Sequence, residues 1–412
     1  MTRGPLLQGC LVFALAATIV DGAIEMGRER LCGEPTTWPE CCARFDGTHY
    51  RELAERGYRY DPTDRSPVAF FPLYPLLVRE VAAWTGLATL TAGVVVSHAL
   101  LLLALLGLAF YWRVAVAEVA DDEVKQEQEA DPPSRRRRSE ARRACWIALF
   151  LIALGPASLF YYVVYTEALF LFCAVAALWG MRRQWPNLAI ALTIGAATAT
   201  RSVGVALLLP FALYLLQQAP PGWRRWRALA VWLPVACWGL LGYMAFQSCE
   251  FGDPLAFAKT QQFWQVRPAL PPLQKGLALL TLEPIWNVYR SAQPGNWQTL
   301  GSAYPWFNFQ FWNPILLLLT AGLVVCGAVK GWLNRFEVAY AAGVLLIPYL
   351  AKGYENAMLS HARFALLAFP AALVAGRLLA KLPWPVFTLI LLGAAAEAAI
   401  FSFLFAGGRP VF

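Results

Sequence analysis

The sequence predicts an all-α, polytopic membrane protein, and three observations carry that prediction. Only 15% of the 412 residues are charged while 58% are hydrophobic; a soluble globular chain carries about a quarter charged residues. The apolar residues arrive in blocks of membrane-spanning length instead of at amphipathic spacing. Lys and Arg collect in alternate loops, the asymmetry that orients spans in a bilayer.

The first block, "GPLLQGCLVFALAATIV" (4–20), follows Arg3 and runs directly into Asp21-Gly22. No small-x-small cleavage site closes it, so it reads as an uncleaved first span. Further spans are expected at about 87–112, 145–163, 167–181, 186–200, 203–217, 228–247, 310–329, 335–350, 364–380 and 385–406, each judged against the ~20 residues needed to cross. With the first, at about 5–22, that makes roughly eleven in a single domain over 1–412. The shorter middle ones are read as tilted, paired or incompletely spanning.

One set of loops holds Arg3, "SRRRRSEARR" (134–143), "MRRQW" (181–185), "GWRRWR" (222–227), Lys330 with Arg335, and Arg377 with Lys381. All fall on one side, which the positive-inside rule makes cytoplasmic. The net charge of +8 is therefore topological, and no nucleic-acid partner is expected. The 113–144 segment begins acidic and ends basic, which predicts a disordered, charged cytoplasmic linker. The opposite face receives the first loop (23–86), 165–170, 200–204, the long 248–309 loop and 352–364. Polar residues gathered there point to a site assembled from loops on a helical scaffold. Cys32, Cys41, Cys42 and Cys249 share that face; free thiols and a bridge from Cys32 to Cys41 or Cys42 both fit the spacing.

Within the first loop, Asp46-Gly47-Thr48 suits a helix start, with Asp46 as N-cap. Tyr50, Leu53, Ala54 and Gly57 then form one apolar face, and Glu52 and Arg56 are placed to pair. "VAFFPLYPLLVREVAAW" (68–84) carries Pro72 and Pro75 among aromatics and Arg79-Glu80 further on, the pattern of a surface-parallel or re-entrant helix. Glu167 and Arg201 stand at outer helix ends, where they either pair with each other or serve a site. Gly252-Asp253-Pro254 reads as a turn; after it come Trp264, Trp286, Trp297, Trp306 and Trp312, for an aromatic belt or for stacking on sugar rings. His361 and Arg363 open a helix, where the dipole disfavours cations, so an anion is expected beside them: a lipid headgroup or a substrate phosphate. Walker, dinucleotide-binding, H-E-x-x-H and G-x-S-x-G motifs are absent from the sequence, and no metal-ligand cluster is visible.

Taken together, "FDGTHYRELAERGY" (45–58), "AFFPLYPLL", "YTEALFLF", "TATRSVG", "FGDPLAFAKTQQFW" and "SHARFALLAFP" resemble the PIG-V family of mannosyltransferases. That family includes the second mannosyltransferase of GPI-anchor assembly and belongs to the GT-C class of polytopic glycosyltransferases. The similarity runs in the family's order from residue 45 to 370. Phe45 stands where a Trp is usual and Val203 where an Asn is common, departures that bear on the acceptor more than on the reaction class.

The resemblance implies a GT-C-like bundle of about eleven transmembrane helices with an amphipathic or re-entrant first outer loop. It also implies a dolichyl- or undecaprenyl-phosphate-mannose donor and a glycolipid or glycan acceptor. The expected setting is a plasma, inner or ER membrane, with the site on the extracytoplasmic face and neither cofactor nor metal. An acidic residue of the first outer loop acts as base in such enzymes, and Asp46 matches it. Attack opposite the phosphate inverts the anomeric centre. Arg201, Arg363 and His361 are the expected phosphate clamps, with Lys259 as a further one. The motifs also carry His49, Tyr50, Tyr74, Glu167, Asp253, Gln262 and Trp264 as site candidates. The competing reading, a lipid or polysaccharide transporter or flippase, calls for a polar path through the helices or repeated halves; the sequence displays neither.

Overall fold

Each of the eleven apolar blocks contains helix, although the 145–163 block is α-helical only to Leu154 and then turns through a short 3-10 stretch at Ser158–Tyr161. The computed structural model describes residues 3–33, 35–126, 135–291, 293–299 and 304–409, and among them there is no β-strand. Gly4–Leu31, Thr89–Val114, Phe309–Val329 and Trp384–Ala406 are each long and apolar enough to cross a membrane alone. Two more spans arise if bent pairs count as one: Trp223–Ala236 with Trp238–Phe251, bent by 56°, and His361–Leu367 with Pro370–Leu379, bent by 76°. By length and composition alone, four to six of the eleven expected spans qualify among the described residues. The other blocks are helices that are too short or too charged to pass, such as Asn187–Thr200 and Arg335–Lys352. Proline accounts for both bends. Pro234 lies inside the first pair and Pro370 opens the second half of the other, each lacking an N–H and crowding the preceding turn.

The first and last long helices pack along each other. Gly27 permits the approach, since a Cβ there would collide with the Phe403 carbonyl. Large aromatic side chains fill the interior, among them Trp112, Tyr161, Tyr162, Phe170 and Phe401. A buried knot closes one end of the bundle: Tyr111 donates to Glu337 Oε1 at 2.7 Å and Arg182 approaches it at 3.4 Å. Glu337 also caps its own helix with Asn334.

The charged 113–144 segment differs from expectation. The helix from Thr89 continues to Gln126 and the next begins at Arg135, so the segment is helical at both ends; 127–134 lie outside the described residues. In the first loop, Asp46–Arg56 buries Gly47, Tyr50, Leu53 and Ala54. Glu52 pairs with Arg59 at 2.8 Å, not with Arg56. The Leu73–Thr85 helix buries Tyr74, Pro75 and Val78 and ends at Gly86 with φ 71°, a left-handed turn suited to glycine. All nine cysteines are free thiols; Cys32 Sγ donates to the Ala406 carbonyl and accepts from Arg44.

Candidate active site

Four of the five segments that the charge pattern assigns to one face line one cavity of about 190 Å³, and the fifth, 165–170, supplies Glu167 behind it. The first loop supplies Asp46, Tyr50 and Phe70; the break after the Asn187–Thr200 helix supplies Arg201 and Ser202. The long loop contributes Gln261 and Trp264, and the 352–364 segment contributes Lys352, Asn356, His361 and Arg363. Glu167 lies beneath, fully buried.

Asp46 is the first residue of its helix, not the N-cap. Phe45 occupies the cap position at φ 53°, and no side chain caps the helix. Other groups serve the first-turn donors: Tyr165 Oη accepts from Asp46 N at 3.2 Å, Arg44 O from Gly47 N, and Phe45 O from Thr48 N. The Asp46 carboxylate is therefore free of capping duty. Its Oδ2 accepts from Arg363 Nη1 at 2.7 Å, and the side chain remains about a third exposed (34%) at the cavity.

Arg363 in turn donates through Nε to Glu167 Oε1 at 2.5 Å, and Arg201 Nη1 reaches the same oxygen at 2.5 Å. One carboxylate oxygen thus receives both guanidinium groups. Arg363 lies 4.8 Å from the ring centres of both Phe160 and Tyr165, and Arg201 5.5 Å from that of Phe364, contacts that favour a cation over an aromatic face. Arg201 also donates to Thr166 Oγ1, which touches Tyr50 Oη. This chain Asp46–Arg363–Glu167–Arg201 fixes four charges around a small polar space.

The backbone around it is strained. Phe45, Ala357, Met358 and Ser360 have φ of 53°, 48°, 66° and 66°, values that non-glycine residues adopt at a cost and that concentrate at functional sites. Buried side chains pin the second group: Gln310 Nε2 donates to Ala357 O, and Asn313 Oδ1 accepts from Ala362 N at 2.7 Å. His361, 1% exposed, donates Nδ1–H to Met358 O at 2.9 Å.

The other expected residues divide. Trp264 lines the cavity. His49 stacks on Phe70 at 4.7 Å and meets Trp264 edge-on; burial holds its pKa below the usual imidazole range. Tyr74 does not line the cavity. It is fully buried, hydrogen-bonded to Gly93 O and Ser97 Oγ, and supports Tyr50 edge-on. Lys259 and Asp253 form an exposed pair at 2.7 Å outside the cavity, because six residues of one turn bring them together. Gln262 is exposed, whereas its neighbour Gln261 faces the cavity. Residues not singled out in the sequence are Lys352, Asn356, Gln261 and Tyr165. Lys352 and Asn356 lie in the same polar outer segment as His361 and Arg363, so segment membership was their only signal.

A second space of about 50 Å³ shares Asp46, Ser360 and Arg363 and is walled by Phe45, Phe160, Tyr165, Phe309 and Phe405. Among the described residues no group of three or more His, Cys, Asp or Glu is placed to hold a metal ion.

Residues 37–246, just over half of the chain, match the family model described as Mannosyltransferase (PIG-V). Asp46, Tyr50, Glu167 and Arg201 fall inside that match; Lys352, His361 and Arg363 lie beyond it. No curated protein matches the chain in sequence. Among solved structures, the oligosaccharyltransferase AglB of Archaeoglobus fulgidus, in complex with an inhibitory peptide and a dolichol-phosphate, is similar at TM-score 0.46 and 17% identity. The similarity covers 98% of this chain and 56% of that one, so this chain spans little more than half of its length. ArnT of Cupriavidus metallidurans in the apo state is similar at TM-score 0.44 and 15% identity, over 97% of this chain and 75% of that one.

Proposed function

From the premise that this chain belongs to the PIG-V mannosyltransferase family, we propose that it moves mannose from a polyprenyl-phosphate-mannose lipid to a hydroxyl of a glycolipid or glycan. The reaction runs at the extracytoplasmic end of the bundle, with inversion. The acceptor oxygen attacks C1 of mannose, the bond from C1 to the phosphate oxygen breaks, and polyprenyl phosphate departs. The acceptor proton passes to Asp46. A lipid phosphate leaves readily without a strong acid, so one base suffices, a contribution of about 10²–10⁴-fold. A β-linked donor yields an α-mannoside.

The observation that carries this reading is the setting of Asp46. One carboxylate oxygen is held by Arg363, the other has no hydrogen-bond partner among the described residues, and the side chain opens on a cavity walled by cations. Such a carboxylate is oriented yet available, and the cations favour charge growing on a departing phosphate. The aromatic rings of Trp264, Tyr50 and Phe70 offer flat faces to a sugar. Incubating purified protein with labelled polyprenyl-phosphate-mannose and a panel of glycolipid acceptors tests the proposal: transfer with an α-linked product is expected, and no transfer to any acceptor or to water contradicts it.

A further inference from the structure

The cations of the cavity are not equivalent. Arg363 is engaged by Asp46 and Glu167, and Arg201 by Glu167 and Thr166. Lys352 has no such partner. Its Nζ donates to the amide oxygen of Gln261, a neutral acceptor, and no carboxylate among the described residues pairs with it. Glu355, three residues on, is held by Lys275 at 2.7 Å. Three cations thus face two carboxylates, Asp46 and Glu167, leaving one positive charge uncompensated at Lys352.

Building on the proposed reaction, we infer that Lys352 is the group that receives the phosphate of the lipid-linked sugar, while Arg201 and Arg363 shape the site around it. A phosphodiester carries one negative charge, which the single excess positive charge of the cavity matches. As the bond from C1 to oxygen breaks, the leaving phosphate gains a second negative charge and Asp46 loses its own by taking the acceptor proton. The excess rises by one in step, and charge stays balanced. Lys352 suits this task as a compact, mobile point charge, whereas both arginines already carry a carboxylate, Arg363 through Nε and Nη1 and Arg201 through Nη1.

Lys352 lies beyond the expected span 335–350, at the end of its helix. Burial and the nearby Arg201 push its pKa down to about 8, with Asp46 opposing. The other charged group facing the cavity is Arg363, and His361 is turned to a backbone carbonyl. A bound phosphate holds the ammonium charged, so affinity falls as pH rises past that value. Between pH 7 and 9 the loss is about tenfold.

The test is binding of farnesyl phosphate to the full chain in phosphatidylcholine nanodiscs, by calorimetry. Wild type is expected to bind about tenfold more weakly at pH 9 than at pH 7. Lys352→Gln is expected to bind at least about tenfold more weakly at pH 7, and Lys352→Arg to bind well with little pH dependence, because its charge persists. Unchanged binding by Lys352→Gln, or a flat wild-type profile, overturns the assignment; the wild-type profile answers even if the Gln variant does not fold. Discs doped with an anionic phospholipid separate the phosphate sources. Retained farnesyl phosphate binding supports a donor site, and its displacement makes the bilayer headgroup the occupant and overturns it. Lys352-dependent binding without any mannosyl transfer contradicts the proposed function alone; mannosyl transfer with donor KM untouched by Lys352→Gln contradicts this inference alone.

Discussion

Arg363 Nη1 lies 2.7 Å from Asp46 Oδ2 across 317 residues of chain. The same guanidinium holds Glu167, which is 0% exposed, so Arg363 serves as an interior strut as well as a wall of the cavity.

Removing it therefore affects fold and function together. Arg363→Ala leaves the Glu167 carboxylate with Arg201 alone in a buried site, a loss of about 3–5 kcal/mol by analogy with broken buried pairs. Its melting temperature in detergent is expected to drop visibly along with transfer. Arg363→Lys keeps the charge but not the two-edged contact, and is expected to fall between. An Ala variant that melts with wild type would show that Arg363 is no strut.

Glu167 is placed to position and not to act as base, since it lies beneath the cavity and both arginines occupy Oε1. Glu167→Gln is expected to raise donor KM roughly tenfold and to leave turnover at saturation within about threefold. Collapsed turnover at unchanged KM would instead give Glu167 the base role.

The family and the helical class were legible because each rests on local strings: apolar blocks for the helices, and short motifs such as "FDGTHY" and "AFFPLYP" for the resemblance. The shorter blocks were less readable as spans, because Asn187–Thr200 is only 14 residues of helix and Arg335–Lys352 carries three charges. The site divides the same way. Asp46, Arg201, His361, Arg363 and Trp264 come together at one cavity. Lys259 does not, because Asp253 claims it from within the same loop. Lys352 was hidden because its character depends on which other cations have already found carboxylates, a property of three-dimensional pairing with no trace in spacing. The helix-cap reading of Asp46 failed for a related reason: Arg363, 317 residues away, holds the carboxylate, and Phe45 O takes the Thr48 N–H.

Orientation is open to direct measurement. In a chain whose exposed Cys10 and Cys249 are replaced, a cysteine at Gln262 is expected to react with an impermeant maleimide in intact cells. A cysteine at Ala130 is expected to react only after permeabilisation, as the Lys and Arg asymmetry requires. The reverse pattern would place the cavity on the cytoplasmic side.

The central claim is that the Asp46 carboxylate accepts the acceptor proton, and turnover by Asp46→Asn tests it most directly. Asn retains an oxygen for Arg363 Nη1, and the helix start does not depend on the side chain, since Tyr165, Arg44 and Phe45 serve its first donors. The variant should therefore fold and bind donor. Asn takes up no proton, so the account predicts that kcat falls by about 10²-fold or more with donor KM little changed. A folded Asp46→Asn enzyme that turns over at close to the wild-type rate would contradict it.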